Sequence, residues 1–173
     1  NFIKNLNTRP LKDSVKENIF NIIEHSNHIK PVIKNSNILD LYSGIGSFGI
    51  ECISRGSKFV TFVEQNQLAA KILKDNLNKF AIINKSKIFK DKIENFLTLD
   101  MKDKFDILFF DPPFADDYFI KNIQYLRLKK IFSKNHILII HREETSEDNL
   151  ESLIKLVDLK IYGRSKIIFG IFK

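Results

Sequence analysis

Short apolar runs, separated by segments with helical spacing, are the feature of this sequence that most restricts its fold. Between two of the runs, Leu68, Ile72 and Leu77 recur with the spacing of one face of an α-helix. Apolar runs of this length that alternate with helices indicate β-α-β units around a mostly parallel sheet, buried on both faces. The sequence therefore predicts an α/β fold. The runs are rich in Ile, Leu, Val and Phe and occupy residues 37–42, 58–64, 86–89, 105–110 and 136–141.

The two ends of the chain depart from this repetition. After Pro10, Val15, Ile19 and Ile23 form one apolar helical stripe, so we expect a helix before the first strand. Near the other end, two strand-like runs at 156–163 and 165–173 are joined by a short Gly-Arg-Ser connection, which is typical of an antiparallel hairpin. With 173 residues and 43% apolar composition, we expect residues 1–173 to form a single domain.

Charge and cysteine content limit the partners and the compartment. No apolar run approaches the roughly 18–20 residues needed to cross a membrane, and the single Cys52 cannot form an internal disulfide. These features are expected of a cytoplasmic protein. The net charge of +7 favours polyanionic partners. An enrichment in Lys through genomic base composition would also account for it, and both explanations stay open.

A glycine-rich turn follows the first predicted strand. Gly44, Gly46 and Gly49 have G-x-G-x-x-G spacing in "DLYSGIGSFGIE", between a strand and a helix. Glycines allow a sharp turn and close approach of a ligand, and the helix start offers free N–H groups. Glu64 ends the second strand, where an acid can accept hydrogen bonds from both ribose hydroxyls of an adenosine. Together they predict a nucleoside-containing cofactor, and both NAD and S-adenosylmethionine fit.

Further polar residues lie near the same strand ends. Asp91 is placed to bind an adenine amino group, with Lys92 and Ile93 beside the ring; it could equally cap a helix over 92–97. Asp40 lies inside the first strand, where burial without a partner is costly, so we expect it to hold loop amides or the ammonium group of the cofactor. Tyr42, at the start of the turn, belongs to the same predicted cofactor site.

The fourth apolar run ends in Asp111, Pro112, Pro113 and Phe114. Ligands of open α/β sheets bind beyond the carboxyl ends of the strands, and two prolines stiffen the chain and remove two N–H donors. The Asp111 carboxylate and the Pro112 carbonyl would accept both hydrogens of an exocyclic base amine, while Phe114 would stack on the base. This predicts methyl transfer from a sulfonium to that amine. The simpler alternative is a strand-terminating turn with an exposed acid.

The ordered set "DLYSGIGSFG", "VEQN" and "DPPF" resembles class I S-adenosylmethionine-dependent methyltransferases that modify amino groups. The segment "TRPLKDSVKENIFNII" resembles the opening of the RsmD family, bacterial enzymes that methylate N2 of a guanosine in 16S rRNA, and the similarity covers nearly the whole chain. The resemblance implies a Rossmann-like, mostly parallel seven-stranded sheet with helices on both faces and a C-terminal antiparallel hairpin. It also implies no metal.

Carried over by position, the resemblance assigns the three glycines to the cofactor turn, Glu64 to the ribose, Asp91 to the adenine and residues 111–114 to the target base. Arg9, within a substrate-side segment and helix over residues 1–30, would help to place the RNA or to order the N-terminal segment. The implied partner is 16S rRNA, within a small-subunit assembly particle, bound by a monomer. Leu11 departs from the Thr or Ser common after Arg-Pro in the family, and the basic leader of the family is mostly absent.

Three other functions compete with this one. A DNA adenine-N6 methyltransferase shares the Asp-Pro-Pro-Phe motif, but no target-recognition domain is inserted here. A Rossmann dehydrogenase has no use for that motif, and a non-catalytic RNA-binding module would not need Asp111. The four histidines show no metal-ligand spacing. We expect residues 142–151 to form a solvated acidic loop and the start of a helix.

Overall fold

The computed structural model describes residues 11–116 and 118–173. Within them, the α-helices are α1 (Asp13–His25), α2 (Ser47–Ser54), α3 (Gln67–Lys79), α4 (Ile93–Thr98) and α5 (Phe119–Lys129), and a single 3-10 turn covers Ile83–Lys85. The strands are β1 (Asn37–Leu41), β2 (Phe59–Val63), β3 (Ser86–Phe89), β4 (Phe105–Phe110), β5 (Phe132–Glu143), β6 (Ile154–Tyr162) and β7 (Ser165–Phe172). No helix in these ranges is both long and apolar enough to cross a membrane.

The seven strands form one sheet in the order β3-β2-β1-β4-β5-β7-β6. The first five run parallel to one another, whereas β7 is antiparallel to both β5 and β6. The β6-β7 hairpin turns at Gly163, whose φ of +59° lies in the left-handed region that suits glycine. This arrangement confirms the predicted α/β fold, including its seven strands and its antiparallel hairpin.

Successive strand residues point to opposite faces of the sheet, so each face carries its own apolar layer. On β1, Ile38 packs into the layer beneath α1, α2 and α3, while Leu39 packs into the layer beneath α4 and α5. Phe109 and Phe110 on β4 divide in the same way. Helices therefore cover both faces, as predicted.

Two segments differ from the sequence-based expectation. The strand predicted at 136–141 extends in both directions, because its pairing with β4 begins at Phe132 and its pairing with β7 continues to Glu143. The helix start predicted within 142–151 is wrong: the chain leaves β5, turns, and enters β6 at Ile154 without a helix. Leu150 and Leu153 are buried in the core from this irregular segment, which explains their apolar character.

The direction of the connections changes between β1 and β4. From β1 the chain moves to β2 and β3 on one side, and it then crosses back to β4 on the other side of β1. In open α/β sheets such a reversal leaves a crevice beyond the carboxyl ends of the two central strands. The glycine turn follows β1 and Asp111 follows β4, so both predicted site segments lie at this crevice.

Candidate active site

The turn between β1 and α2 uses its glycines for different purposes. Gly44 (φ +54°) and Gly46 (φ +87°) both have left-handed backbones. A Cβ at Gly44 would meet no atom within 4 Å, so the backbone there borders open space that a ligand can approach. A Cβ at Gly46 would lie 2.3 Å from Leu73 Cδ1 on α3. Packing against Leu73 therefore favours glycine at position 46, whereas the space beside Gly44 is open to a ligand.

Gly49 lies inside α2, against the sheet. A Cβ there would come within 2.3 Å of the Phe62 ring, so this glycine allows α2 to lie close to β2. Its N–H donates to Asp40 Oδ2 at 3.0 Å. Asp40 was predicted to hold loop amides or the ammonium group of the cofactor; its amide partner lies in the first turn of α2 rather than in the loop, and the ammonium contact stays a prediction. Burial raises the pKa of Asp40 well above its ordinary value, since the carboxyl is only 1% exposed.

Glu64 links the glycine turn to the start of α3. Its Oε2 accepts the N–H of Gly44 and its Oε1 accepts the N–H of Asn66, each at 2.7 Å. The carboxylate is buried at the end of β2, beside the open space at Gly44. Each carboxylate oxygen can accept more than one hydrogen bond, so a ribose contact through Glu64 is compatible with this bracing and stays a prediction.

The third strand leads into a short loop before α4. Asp91 Oδ1 accepts the N–H of Lys92 at 2.7 Å and the Asn95 side-chain amide at 2.9 Å, and the bond from Asn95 is the main cause of its lowered pKa. The helix begins at Ile93, one residue later than predicted, with Lys92 as the preceding residue. The predicted capping role of Asp91 is therefore wrong, since Lys92 occupies the N-cap position, and Asp91 contacts the first turn of the helix through the Asn95 side chain. Ile93 is buried in the core layer and presents little surface to a ligand.

Tyr42 connects the turn to α5. It has a left-handed backbone (φ +59°), and its hydroxyl accepts a hydrogen bond from Asn122 Nδ2 at 3.1 Å. Burial raises the pKa of Tyr42 above its ordinary value. Asn122 Nδ2 also approaches Glu94 Oε1 at 3.3 Å. These contacts join the glycine turn to α4 and α5, which cover the face of the sheet opposite α1.

Asp111 leaves β4 beside β1, and its N–H points to Leu41 O at 3.4 Å. The Asp111 side chain is 23% exposed. Pro112 is buried, whereas Pro113 is exposed, as is the Phe114 ring at 36%. The motif thus offers an accessible carboxylate and an accessible aromatic ring at the crevice, and their contact with a target base stays a prediction.

Arg142 holds this motif from β5, and sequence reasoning had assigned it to a solvated loop. Its side chain is 3% exposed, and the guanidinium donates to the carbonyls of Pro113 and Phe114, each at 3.1 Å. The charge is balanced by Asp148, which accepts from Nε at 3.1 Å and from Nη2 at 3.3 Å. The guanidinium also lies 4.3 Å from the Phe119 ring centroid. Arg142 binds the carbonyls of Pro113 and Phe114 rather than that of Pro112, the carbonyl predicted to accept the amine.

His141, next to Arg142, was also not expected to belong to the site. Its Nδ1 lies 2.7 Å from Asp111 Oδ1, and its Nε2 lies 3.0 Å from Ser165 Oγ. The Phe114 ring meets the imidazole edge-on at a centroid distance of 5.7 Å. The partners are 30 and 24 residues away in the chain, so only the pairing of β5 with its neighbours reveals them.

The other predictions for the site have simpler outcomes. Cys52 is fully buried in α2, as expected of a small core residue. Arg9 lies outside the described residues. In the ranges 11–116 and 118–173, no three His, Cys, Asp or Glu side chains are grouped so as to hold a metal ion.

This strand order, with a glycine turn after β1 and an acid after β2, defines a class I methyltransferase fold. A conserved hypothetical protein of Streptococcus pyogenes has a similar structure, with a TM-score of 0.80, 28% identity and coverage of 92% of this chain and 96% of that one. A candidate methylase of Haemophilus influenzae has a TM-score of 0.76 and 26% identity, over 93% and 98% of the two chains.

The chain belongs to the family described as Conserved hypothetical protein 95, the RsmD-type methyltransferases, whose model matches residues 1–171. A ribosomal RNA small subunit methyltransferase D of Buchnera aphidicola is 32% identical over 138 residues, which is 80% of this chain and 69% of that protein. The resemblance drawn from the sequence motifs is therefore confirmed. Membership of a methyltransferase family also disfavours a dehydrogenase.

Proposed function

We propose that the protein transfers a methyl group from S-adenosylmethionine to the exocyclic N2 amine of a guanosine in 16S rRNA. The observation that carries the proposal is the position of Asp111 to Phe114: an accessible carboxylate and an accessible ring lie at the carboxyl end of β4, beside the glycine turn of β1. The relatives named ribosomal RNA small subunit methyltransferase D support rRNA as the substrate.

The residues around the turn fit a nucleoside-bearing cofactor. The backbone at Gly44 borders open space, and the Glu64 carboxylate lies next to it. When bound, S-adenosylmethionine supplies a methyl group on a sulfonium, which is an electrophile. Gly44, Glu64 and Asp91 would hold its adenosine portion, with Asp40, Tyr42, Lys92 and the remaining turn glycines supporting them. No metal takes part in the proposed reaction.

Asp111 and its motif act on the other reactant. The nitrogen lone pair of an exocyclic amine is delocalised into the base, so acceptors for its two hydrogens raise the electron density on nitrogen and orient it. Asp111 and the Pro112 carbonyl are these acceptors, and Phe114 stacks on the guanine. The N–C bond would form as the C–S bond of the methyl donor breaks, and the Asp111 carboxylate would take the displaced amine proton and pass it to water.

The basic character of the chain supports an RNA substrate. Its net charge of +7 attracts phosphates, and binding that releases counterions weakens steeply as salt rises. Arg9 and residues 1–30 would contact the RNA. We propose further that the substrate is a partly assembled small-subunit particle, that the enzyme is a single-domain monomer over residues 1–173, and that it works in the cytoplasm.

The test incubates the protein with radiolabelled S-adenosylmethionine and, separately, unmodified 16S rRNA, 30S particles and duplex DNA, and identifies the labelled nucleoside after digestion. Label in N2-methylguanosine from rRNA or particles is the expected result. Label in N6-methyladenosine from DNA would instead select an adenine methyltransferase, and RNA binding without label would select a non-catalytic module.

Replacing Asp111 separates its role from that of the cofactor site. We expect Asp111→Ala to lower the single-turnover rate by at least about 100-fold, the usual effect of losing one oriented polar contact to the reacting group, while S-adenosylmethionine affinity changes little. Asp103→Ala is the matched control, because Asp103 is exposed and precedes β4 at the opposite end of the strand. A large loss of cofactor binding in Asp111→Ala would place Asp111 in the cofactor site.

A further inference from the structure

Three side chains form a continuous line of hydrogen bonds behind the Asp-Pro-Pro-Phe motif. Asp111 Oδ1 contacts His141 Nδ1 at 2.7 Å, and His141 Nε2 contacts Ser165 Oγ at 3.0 Å. His141 is 7% exposed, near the end of β5, and Ser165 opens β7. The line therefore joins the motif to the turn end of the C-terminal hairpin.

The chemistry of these groups defines where the imidazole carries its proton. An ionised carboxylate can only accept hydrogen bonds, so the short contact with Asp111 requires a hydrogen on Nδ1. In the neutral ring Nε2 then has a lone pair, which the Ser165 hydroxyl satisfies by donating. With a neutral His141 ring that carries its proton on Nδ1, each donor in the line faces an acceptor.

The contact with His141 leaves one oxygen of Asp111 for another partner. Among the described residues, no protein group makes a hydrogen bond to Asp111 Oδ2, and the side chain is 23% exposed at the crevice. With Oδ1 held by a buried ring, rotation of the carboxylate is restricted and Oδ2 has a defined direction.

We propose that His141 is a positioning residue for methyl transfer: its Nδ1–H fixes the Asp111 carboxylate so that Oδ2 meets the target amine, and Ser165 fixes the tautomer of the ring. This inference rests on the proposed function, because it concerns how Asp111 acts in that reaction. Orientation matters here because a displacement of about 1 Å in a reacting group can cost on the order of 100-fold in rate.

The same arrangement makes the rate depend on the charge of His141. A protonated ring brings a positive charge against Asp111, which draws electron density from the carboxylate and weakens it as an acceptor. Transfer should therefore be faster with a neutral ring than with a protonated one.

Other charged groups on the surrounding elements are engaged elsewhere. Arg142 pairs with Asp148, and Glu143 pairs with Arg164 at the hairpin turn. Lys166 on β7 donates to the carbonyl of Ser146. Asp40 on β1 is close enough to Asp111 for the two carboxylates to repel each other, and it remains in every variant of His141. Its titration is therefore common to wild type and variants.

Two substitutions of His141 separate geometry from charge. In His141→Asn the side-chain amide can still donate to Asp111 but cannot become protonated, whereas His141→Leu removes the donor and keeps an apolar side chain. We expect His141→Leu to lower kcat by about 10- to 100-fold, with KM for S-adenosylmethionine changed less than about twofold if only orientation is lost. His141→Asn should keep more of the rate than His141→Leu. His28→Asn is the matched control, because His28 is exposed in the loop after α1.

The pH profile of kcat distinguishes positioning from a purely structural role. Wild type and His28→Asn should lose rate towards acid, and His141→Asn should lose much less, because asparagine has no ring to protonate. The positioning role is refuted if His141→Asn reproduces the wild-type acid limb, or if folded His141→Leu retains the wild-type kcat.

The tautomer gives a readout that needs no substrate. Long-range ¹H–¹⁵N spectra of the wild-type protein at neutral pH should show His141 protonated at Nδ1 and unprotonated at Nε2; protonation at Nε2 alone would overturn the inference. A wild-type protein that labels no nucleic acid refutes the proposed function and, with it, the positioning role. Normal labelling with an unaffected His141→Leu variant refutes the positioning role alone.

Discussion

Replacing Arg142 with Met should destabilise the fold far more than replacing an exposed arginine. The Arg142 side chain is 3% exposed, and its guanidinium makes four hydrogen bonds, two to the Asp148 carboxylate and two to backbone carbonyls of the motif. Methionine has a similar length but no donor, so Asp148 would be left as a mostly buried charge, since its side chain is only 9% exposed. The carbonyls of Pro113 and Phe114 would lose the donor that fixes them.

The size of the effect follows from the burial of the pair. Removing one partner of a buried ion pair costs about 3–5 kcal/mol. For a chain of this size each kcal/mol lowers Tm by about 2–4 °C, so Arg142→Met should melt about 6–20 °C below wild type. Urea unfolding at equilibrium should show the same loss as a lower midpoint with an unchanged m-value.

Arg127→Met is the matched control. Arg127 also donates to two main-chain oxygens, those of Ser152 and Lys173, but these bonds are exposed and involve no carboxylate side chain. Its loss should cost about 1 kcal/mol. Asp148→Leu combined with Arg142→Met should be less destabilised than the sum of the single changes, because neither charge is then left without its partner. If Arg142→Met costs no more than Arg127→Met, the argument from burial is wrong.

Two other predictions concern the glycine turn and pH. Gly46→Ala should be less stable than Gly44→Ala by about 1–3 kcal/mol in urea unfolding, because both have left-handed backbones but only the Cβ at 46 would overlap the buried Leu73; equal stabilities would contradict this packing role. Burial lowers the pKa of His136 from its ordinary 6.5, and its Nε2 accepts the N–H of Phe172. The unfolded chain therefore binds a proton more readily, so the stabilisation present above pH 6.5 should be lost as the pH falls through the lowered pKa of the folded state. His136→Leu should reduce that slope, and an unchanged slope would exclude His136 as its source.

The sequence revealed those parts of the fold whose signals are local. The five parallel strands were predicted within a few residues, because each is an apolar run that ends where the chain reaches the edge of the sheet. The extension of β5 to Phe132 was missed, since Lys134 and Asn135 are exposed polar residues that interrupt the pattern. The predicted helix start after Arg142 was wrong because Leu150 and Leu153 reach the core from a turn, which has no periodicity to detect.

Only part of the candidate site could be predicted from the sequence, for a related physical reason. Gly44, Glu64 and Asp111 were found because a turn or a strand end places them in a known relation to the sheet. Arg142 and His141 were missed, because a charged or polar residue near the end of a strand is usually exposed, and their buried partners are distant in sequence. A strand residue that pairs with β7 can be recognised only once the antiparallel neighbour is known.

The order of the last strands has a consequence for the nascent chain. β6 is synthesised before β7, yet in the described structure it pairs with β7 and with no other strand, while β7 lies between it and β5. Until β7 has left the ribosome, β6 has no partner, and its unpaired backbone is open to other chains. We therefore expect β6 and β7 to dock on β5 together, as one hairpin. A pause in translation before Ser165 would prolong the time during which β6 is unpaired.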